Sequence, residues 1–467
     1  MHLGIGLAIA ATATVDTYEQ LLAAATNPAI EEIVVTASIQ GVQVDFDRPV
    51  TVRGEGDDVG VPSLYFGPGT DGSLVQDLVF GTDMELDGDA TSHLEVEASS
   101  MRAERLTLTG ASGLYALRMT GATLIVEDLV ADGFDRLYPA IYVVGDADSS
   151  YLEVNTCSVE GSGGGFVQFT GSVTWPAHIT LNDCEVSGAN REDNLSYAVW
   201  AFGTATLDVN GGRYFANDGT VFFLGSSSGD GSGVSATFDG VTFQENTGQD
   251  HPVIYAPGAD SLVVENSHFC GNAGNKGGQS VHADGTPTSF RYNTVRGSEG
   301  LSAVLIQADD SVIENNTFIE HDFALALSGA RASLVNNLFV DIDETVRATG
   351  DLAIEDQGYN AWSDAVPGIA LSETELTLLD GPGFLTERAE DCDWQPFITD
   401  DSPLVDAGDP SRTDADGSRS DIGAFTAGAQ FEDDDEAARS WLGGGCSASP
   451  LGGAWLLGLL LARRRCS

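Results

Sequence analysis

His282 and Asp284 stand two residues apart in Val281-His-Ala-Asp284, a stretch that alternates apolar and polar side chains. In an extended strand both polar groups emerge on one side. An imidazole beside a carboxylate has the composition of a general acid–base pair. Asp250, His251 and Asp260, in the connections of the preceding period, are the other residues that could join it. Catalysis is nonetheless the lesser reading. A strongly acidic chain places a carboxylate near a histidine by chance, and the only lysine, Lys276, sits in a Gly/Asn-rich loop.

Two further sets of residues could do chemistry. Asp414-Ala-Asp416-Gly, followed by Asp421, alternates hard oxygen ligands around a glycine turn, as part of a Ca2+ loop would. It lacks the bidentate Glu that completes an EF-hand, and the alternative is a polar turn that packs Ile422 and Phe425 on the body. Of six cysteines, Cys157, Cys184, Cys270 and Cys392 lie in the body and Cys446 and Cys466 in the tail. No CxxC pair occurs, which argues against zinc and redox motifs.

The elements that position these residues follow from two interleaved repeats. In the first, apolar residues five positions apart flank a polar turn: Val154/Val159, Leu181/Val186, Val209/Tyr214, Phe238/Phe243, Val264/Phe269, Phe290/Val295, Ile313/Phe318 and Leu334/Phe339. Ala103/Leu108, Ile125/Val130 and Ile354/Tyr359 extend the series. Each unit predicts a tight strand–turn–strand corner. In the second, an apolar residue precedes a glycine by four positions, as in Ile141/Gly145, Val199/Gly203, Val221/Gly225, Ile254/Gly258 and Val281/Gly285. The two series alternate, so each period of about 20 to 33 residues holds three short strands, one coil of a parallel β-helix. About ten coils follow, stacked over roughly 50 Å at the ~4.8 Å spacing of neighbouring strands. The expected fold is therefore all-β, a right-handed parallel β-helix. Thr17 to Ala25 reads as a helix capping its first coil, since an uncovered strand edge would pair with another chain.

Stacking places Cys157 above Cys184 within disulfide range, although a reduced cysteine stack fits as well. Cys270 and Cys392 have no partner that can be argued beyond elimination. Asn293, Asn316 and Asn337 fall at the same corner in successive coils, where their amides can satisfy one another. The residues three before each glycine form an outward column that includes Tyr142, Trp200, Phe222, Tyr255 and His282. Aromatic rings at one-coil intervals can stack on the C–H faces of sugar rings. They are also simply favoured in strands.

Residues 103 to 360 resemble the right-handed β-helix repeats of the pectate-lyase-like superfamily. That resemblance implies polysaccharide contact on this strand face. Relatives that cleave pectate use Asp-held calcium with an Arg or Lys base, and relatives that hydrolyse use paired carboxylates; neither set is legible here.

The ends concern location. Leu3 to Ala13 is a short apolar run closing in Ala11-Thr-Ala13, a pattern that a signal peptidase cuts. Trp441-Leu-Gly-Gly-Gly-Cys446 leads into an apolar stretch to Ala462 and then Arg463-Arg-Arg465. These last ~25 residues resemble the C-terminal sorting signals of myxobacterial surface proteins. The resemblance implies processing or lipidation at Cys446, a sorting protease as partner, and retention at the cell surface or outer membrane of a Gram-negative bacterium. The chain thus divides into a signal peptide (1–13), a cap with the first strands (14–60), a β-helix with its closing segment (61–430), an acidic linker (431–445) and an anchor (446–467).

With 71 acidic against 20 basic residues, the net charge is −51. No basic patch can form to neutralise phosphates, which excludes a nucleic-acid partner. The expected protein is an exported monomer. A non-catalytic module contacting glycan or another surface partner ranks first, a polysaccharide lyase or glycoside hydrolase second, and a purely structural surface protein third.

Overall fold

The computed structural model describes residues 11–424 apart from 57, 82–91, 110–114, 134–138, 147, 162–164, 190–196, 226–232, 249–251, 275–279, 298–301, 330, 350–352, 386–391, 393 and 415–416. Asp250, His251, Asp416, Phe425, the acidic linker and the Cys446 tail, as well as the apolar run before Ala11, lie outside the described residues.

The chain coils into a right-handed parallel β-helix whose rungs each supply one strand to three sheets. In one rung Ala205–Asn210 belongs to the first sheet, Arg213–Phe215 to the second and Phe222–Leu224 to the third. The register stacks like on like. Val154, Leu181, Val209, Phe238, Val264, Phe290, Ile313 and Leu334 pair in succession along the first sheet, all buried. Facing them in the second sheet, Phe243, Phe269, Val295, Phe318, Phe339 and Trp362 pair in succession, the last two rings with centroids 4.6 Å apart at 14°. Each buried ring contributes ~2–3 kcal/mol by leaving water.

The corner between first and second sheets has one form. Its leading residue takes a left-handed conformation, as in Asp128, Thr156, Asp183, Asn266, Asn315 and Asn336, with φ from 50° to 60°. Asn and Asp tolerate this region better than other non-glycine residues, which accounts for the polar turn of the first repeat. From Val75/Phe80 to Gln357/Trp362 its length does not vary: Leu181, for example, pairs with Val209 on one side and Val186 with Tyr214 on the other. The connections flanking the third sheet do vary, as Ser187 to Val199 is longer than Phe215 to Phe222. Several glycines of the second repeat end third-sheet strands where the chain passes close by, whereas Gly285 faces open space. A Cβ on Gly203 would sit 2.2 Å from the Gly171 carbonyl oxygen.

Two of the expected apolar pairs are out of step. Val126 and Ala131 point inward where Ile125 and Val130 were expected, leaving Val130 46% exposed. The last pair is displaced by three residues: Ile354 pairs with Ala332, a bulge follows, and Gln357 and Trp362 take the places expected for Ile354 and Tyr359. A shift of one residue exchanges the two faces of a strand.

The asparagine ladder forms. Asn293 donates to Asn316 at 3.1 Å, Asn316 to Asn337 at 3.0 Å and Asn337 to Asn360 at 3.0 Å. Each of the first three also donates to a core-strand carbonyl, so the buried amides are satisfied. A second ladder, Asn217–Asn246–Asn272, occupies the far end of the second sheet. Cys157 and Cys184 pair in register and form a disulfide with Cα atoms 4.4 Å apart.

At the start, Ala11–Val15 pairs with Ile30–Val35. The ladder thus begins inside the stretch with the signal-peptidase pattern and well before residue 61. Helix Tyr18–Thr26 buries Leu21, Ala24 and Ala25, and Thr17 caps its N-terminus by accepting from the Gln20 amide. At the other end, the segment after Leu376–Thr377 packs over the outer face of the second sheet. Trp394, Leu404 and Ile422 enclose a second core with Ile319, Leu338, Val340 and Ala361. A disulfide from Cys270 to Cys392 fastens it, and Arg412 pairs with Glu314 on the body.

Candidate functional site

Alternation along the third sheet sends every second side chain outward. The column runs Arg118, Tyr142, Gln168, Trp200, Phe223, Tyr255, His282, Leu305, Ala326 and Arg347. Phe222 is corrected here: it pairs with Val199 and is fully buried in the core. Its strand ends at Gly225 one residue sooner than its neighbours do, so counting back from the glycine selects the inward ring. Phe223 takes the place in the column and is 3% exposed.

The rings gather into one cluster. Tyr197 lies 4.6 Å from Phe223 and 5.5 Å from Trp200, Trp200 lies 5.2 Å from Phe202, and Phe223 meets Tyr255 edge-on at 5.4 Å. Tyr255 continues to His282 at 5.1 Å. Tyr142 stands apart, stacked on Tyr115 at 4.6 Å. The mutual tilts, from 38° to 80° within the cluster, mean that the rings brace one another as well as facing outward. The indole Nε1–H of Trp200 is buried without an acceptor among the described residues. A buried donor left unpaired costs ~1–3 kcal/mol.

A second outward column runs beside the first: Val144, Thr170 and Phe202 in the earlier rungs, then Pro257, Asp284, Gln307 and Ser328. Tyr255 has its phenol pushed up from the ordinary range by burial first and by the Asp284 charge second. It therefore remains a neutral donor. Burial does the same for Tyr197. His282 Nε2 and Gln307 Oε1 lie 3.0 Å apart, so this ring is held by an amide rather than by a carboxylate. Asp284 is exposed on the same strand, and Asp260 is exposed just before the next first-sheet strand.

The structure brings Tyr142, Trp200, Tyr255, His282 and Asp284 onto one face. It also adds Phe223, Phe202 and Tyr197. Phe202, two residues beyond Trp200, is an outward ring that alternation alone would have selected.

Away from this face, Asp414 and Asp421 approach each other in the closing segment. The Asp421 amide donates to Asp414 Oδ2 at 3.0 Å, and Asp421 Oδ1 accepts from the Asp406 amide at 2.7 Å. Both carboxylates thus organise the turn that seats buried Ile422. No cluster of three or more His, Cys, Asp or Glu placed to hold a metal occurs among the described residues.

The fold and this face define a parallel β-helix with an aromatic strip along one sheet. No family model matches the chain, and no curated protein matches it. Among solved structures it is similar to the catalytic domain of a GH87 alpha-1,3-glucanase in complex with tetrasaccharides, at TM-score 0.43 and 10% identity over 79% of this chain and 68% of that one. The same domain in complex with nigerose gives 0.38 at 10% identity and the same coverage. The crystal structure of pectate lyase Pel9A gives 0.29 at 13% identity, over 90% of this chain and 97% of that one. These likenesses concern the fold alone.

Proposed function

We propose that the protein is an exported, surface-held β-helix whose third sheet contacts a polysaccharide without cleaving it. One observation carries the reading: the continuous ring cluster Tyr197–Trp200–Phe202–Phe223–Tyr255–His282 on an outward sheet face. A sugar ring offers C–H groups to such rings. Two disulfides in the body support export, because such bridges persist in oxidising compartments. The Cys446 tail is the proposed anchor.

A second reading, a lyase or hydrolase on the same strip, is supported by His282 and Asp284 lying side by side on it. Hydrolysis asks for two carboxylates about 5–10 Å apart, and Asp284 is the sole carboxylate in the two columns between Arg118 and Arg347.

Native electrophoresis of the full chain through polysaccharide gels, followed by staining for cleared zones, tests both readings. Retardation without clearing is expected, weakened about tenfold in affinity by Trp200→Ala, the worth of one good ring contact of ~1.4 kcal/mol. Clearing that disappears in Asp284→Asn would favour the enzyme. Free migration through every gel would remove the glycan reading.

A further inference from the structure

Resting on that polysaccharide reading, we infer that the ligand is an uncharged glycan, one without uronate, sulfate or phosphate groups. The observation is the charge of the strip. Between Arg118 and Arg347, its two outward columns carry one formal charge among the described residues, that of Asp284. The arginines that bound it are turned to acids: Arg118 to Glu95 at 2.8 Å, Arg347 to Glu344 at 2.8 Å and over the Phe323 ring at 4.0 Å.

The surrounding chain carries a net charge of −51. A polyanionic glycan would approach against this field and find no cation on the strip to offset its desolvation. Carboxylated sugars are held by guanidinium forks or by calcium bridging several carboxylates. The strip has no such fork between its bounding arginines, and no metal-holding cluster occurs among the described residues. What the strip does offer is rings, the neutral Tyr255 phenol among them, and the Gln168 and Gln307 amides. Hydroxyls and C–H faces of an uncharged sugar match these groups.

The full chain is run through native gels containing an uncharged glucan, an uncharged galactomannan, polygalacturonate or alginate, each with EDTA and again with calcium, beside an acidic reference protein. The expected result is that relative mobility is at least halved in an uncharged gel regardless of EDTA, and unchanged in both uronate gels. Trp200→Ala and Tyr255→Ala, each with the wild-type circular dichroism spectrum, weaken the retardation by about tenfold in affinity. Retardation as strong or stronger in the uronate gels, with or without calcium, overturns the inference and leaves the polysaccharide reading standing. Free migration in every gel removes both.

Discussion

His93 sits at the entry to a third-sheet strand and is 1% exposed. Burial pushes its imidazole down to about 4 from an ordinary 6.5. The unfolded chain therefore binds a proton more readily than the folded one between these values, and stability is lost as pH falls from about 6.5 toward 4. At ~1.4 kcal/mol per pH unit this is on the order of 3 kcal/mol. Urea midpoints at pH 7 and pH 4.5 should fall further apart in the wild type than in His93→Leu, which lacks the titrating ring. Equal differences would discount His93 as the source. Single positions also show where the sequence was and was not readable. Strict alternation placed Trp200, Tyr255 and His282 outward correctly. It failed at Phe222, Ile125 and Val130, because the frame was anchored on a glycine or a fixed five-residue spacing while the strand itself had slipped by one.

Among elements, the corner between first and second sheets was readable because polar residues, chiefly Asp and Asn, recur in a turn of fixed length. The Asn293–Asn316–Asn337 ladder was readable for the same reason. The Asn217–Asn246–Asn272 ladder stands at an equally regular offset, three residues after Tyr214, Phe243 and Phe269, and was overlooked because attention to the corner left the far end of the second sheet unread. The role of the closing segment was hidden. Ile319, Leu338 and Val340 alternate like any outward residues, and only the folded chain shows Trp394 and Leu404 covering them. The Cys270–Cys392 bridge closes a span of 122 residues, for which chain-entropy arguments give about 4–5 kcal/mol. Cys392→Ser should lower the thermal midpoint and, on mild heating, bind an apolar-surface dye before the main transition. A single unchanged transition would show that packing alone holds the segment.

Across the whole molecule, 71 acidic side chains meet 20 basic ones. Several of the basic ones are arginines spent on pairs along the first sheet, including Arg53 with Glu32, Arg105 with Asp77 and Arg291 with Glu314. The excess negative charge repels itself, and salt screens that repulsion over ~10 Å at 0.1 M. The melting temperature should therefore rise between 10 mM and 300 mM sodium chloride. A fall would mean that the exposed ion pairs outweigh the excess charge. Composition made this legible at once, whereas the near-neutral strip within so acidic a surface required the register.

The corner of constant length from Val75 onward has a counterpart in how such a chain can change. Residues gained or lost beside the third sheet alter only the rim around the strip and leave every rung in step. The same change at the short corner would put the second-sheet strand that follows it out of phase and turn that rung's core side chain toward solvent. Variation is thereby channelled to the margins of the contact surface, so that what the protein grips can be revised while what holds it together is inherited intact.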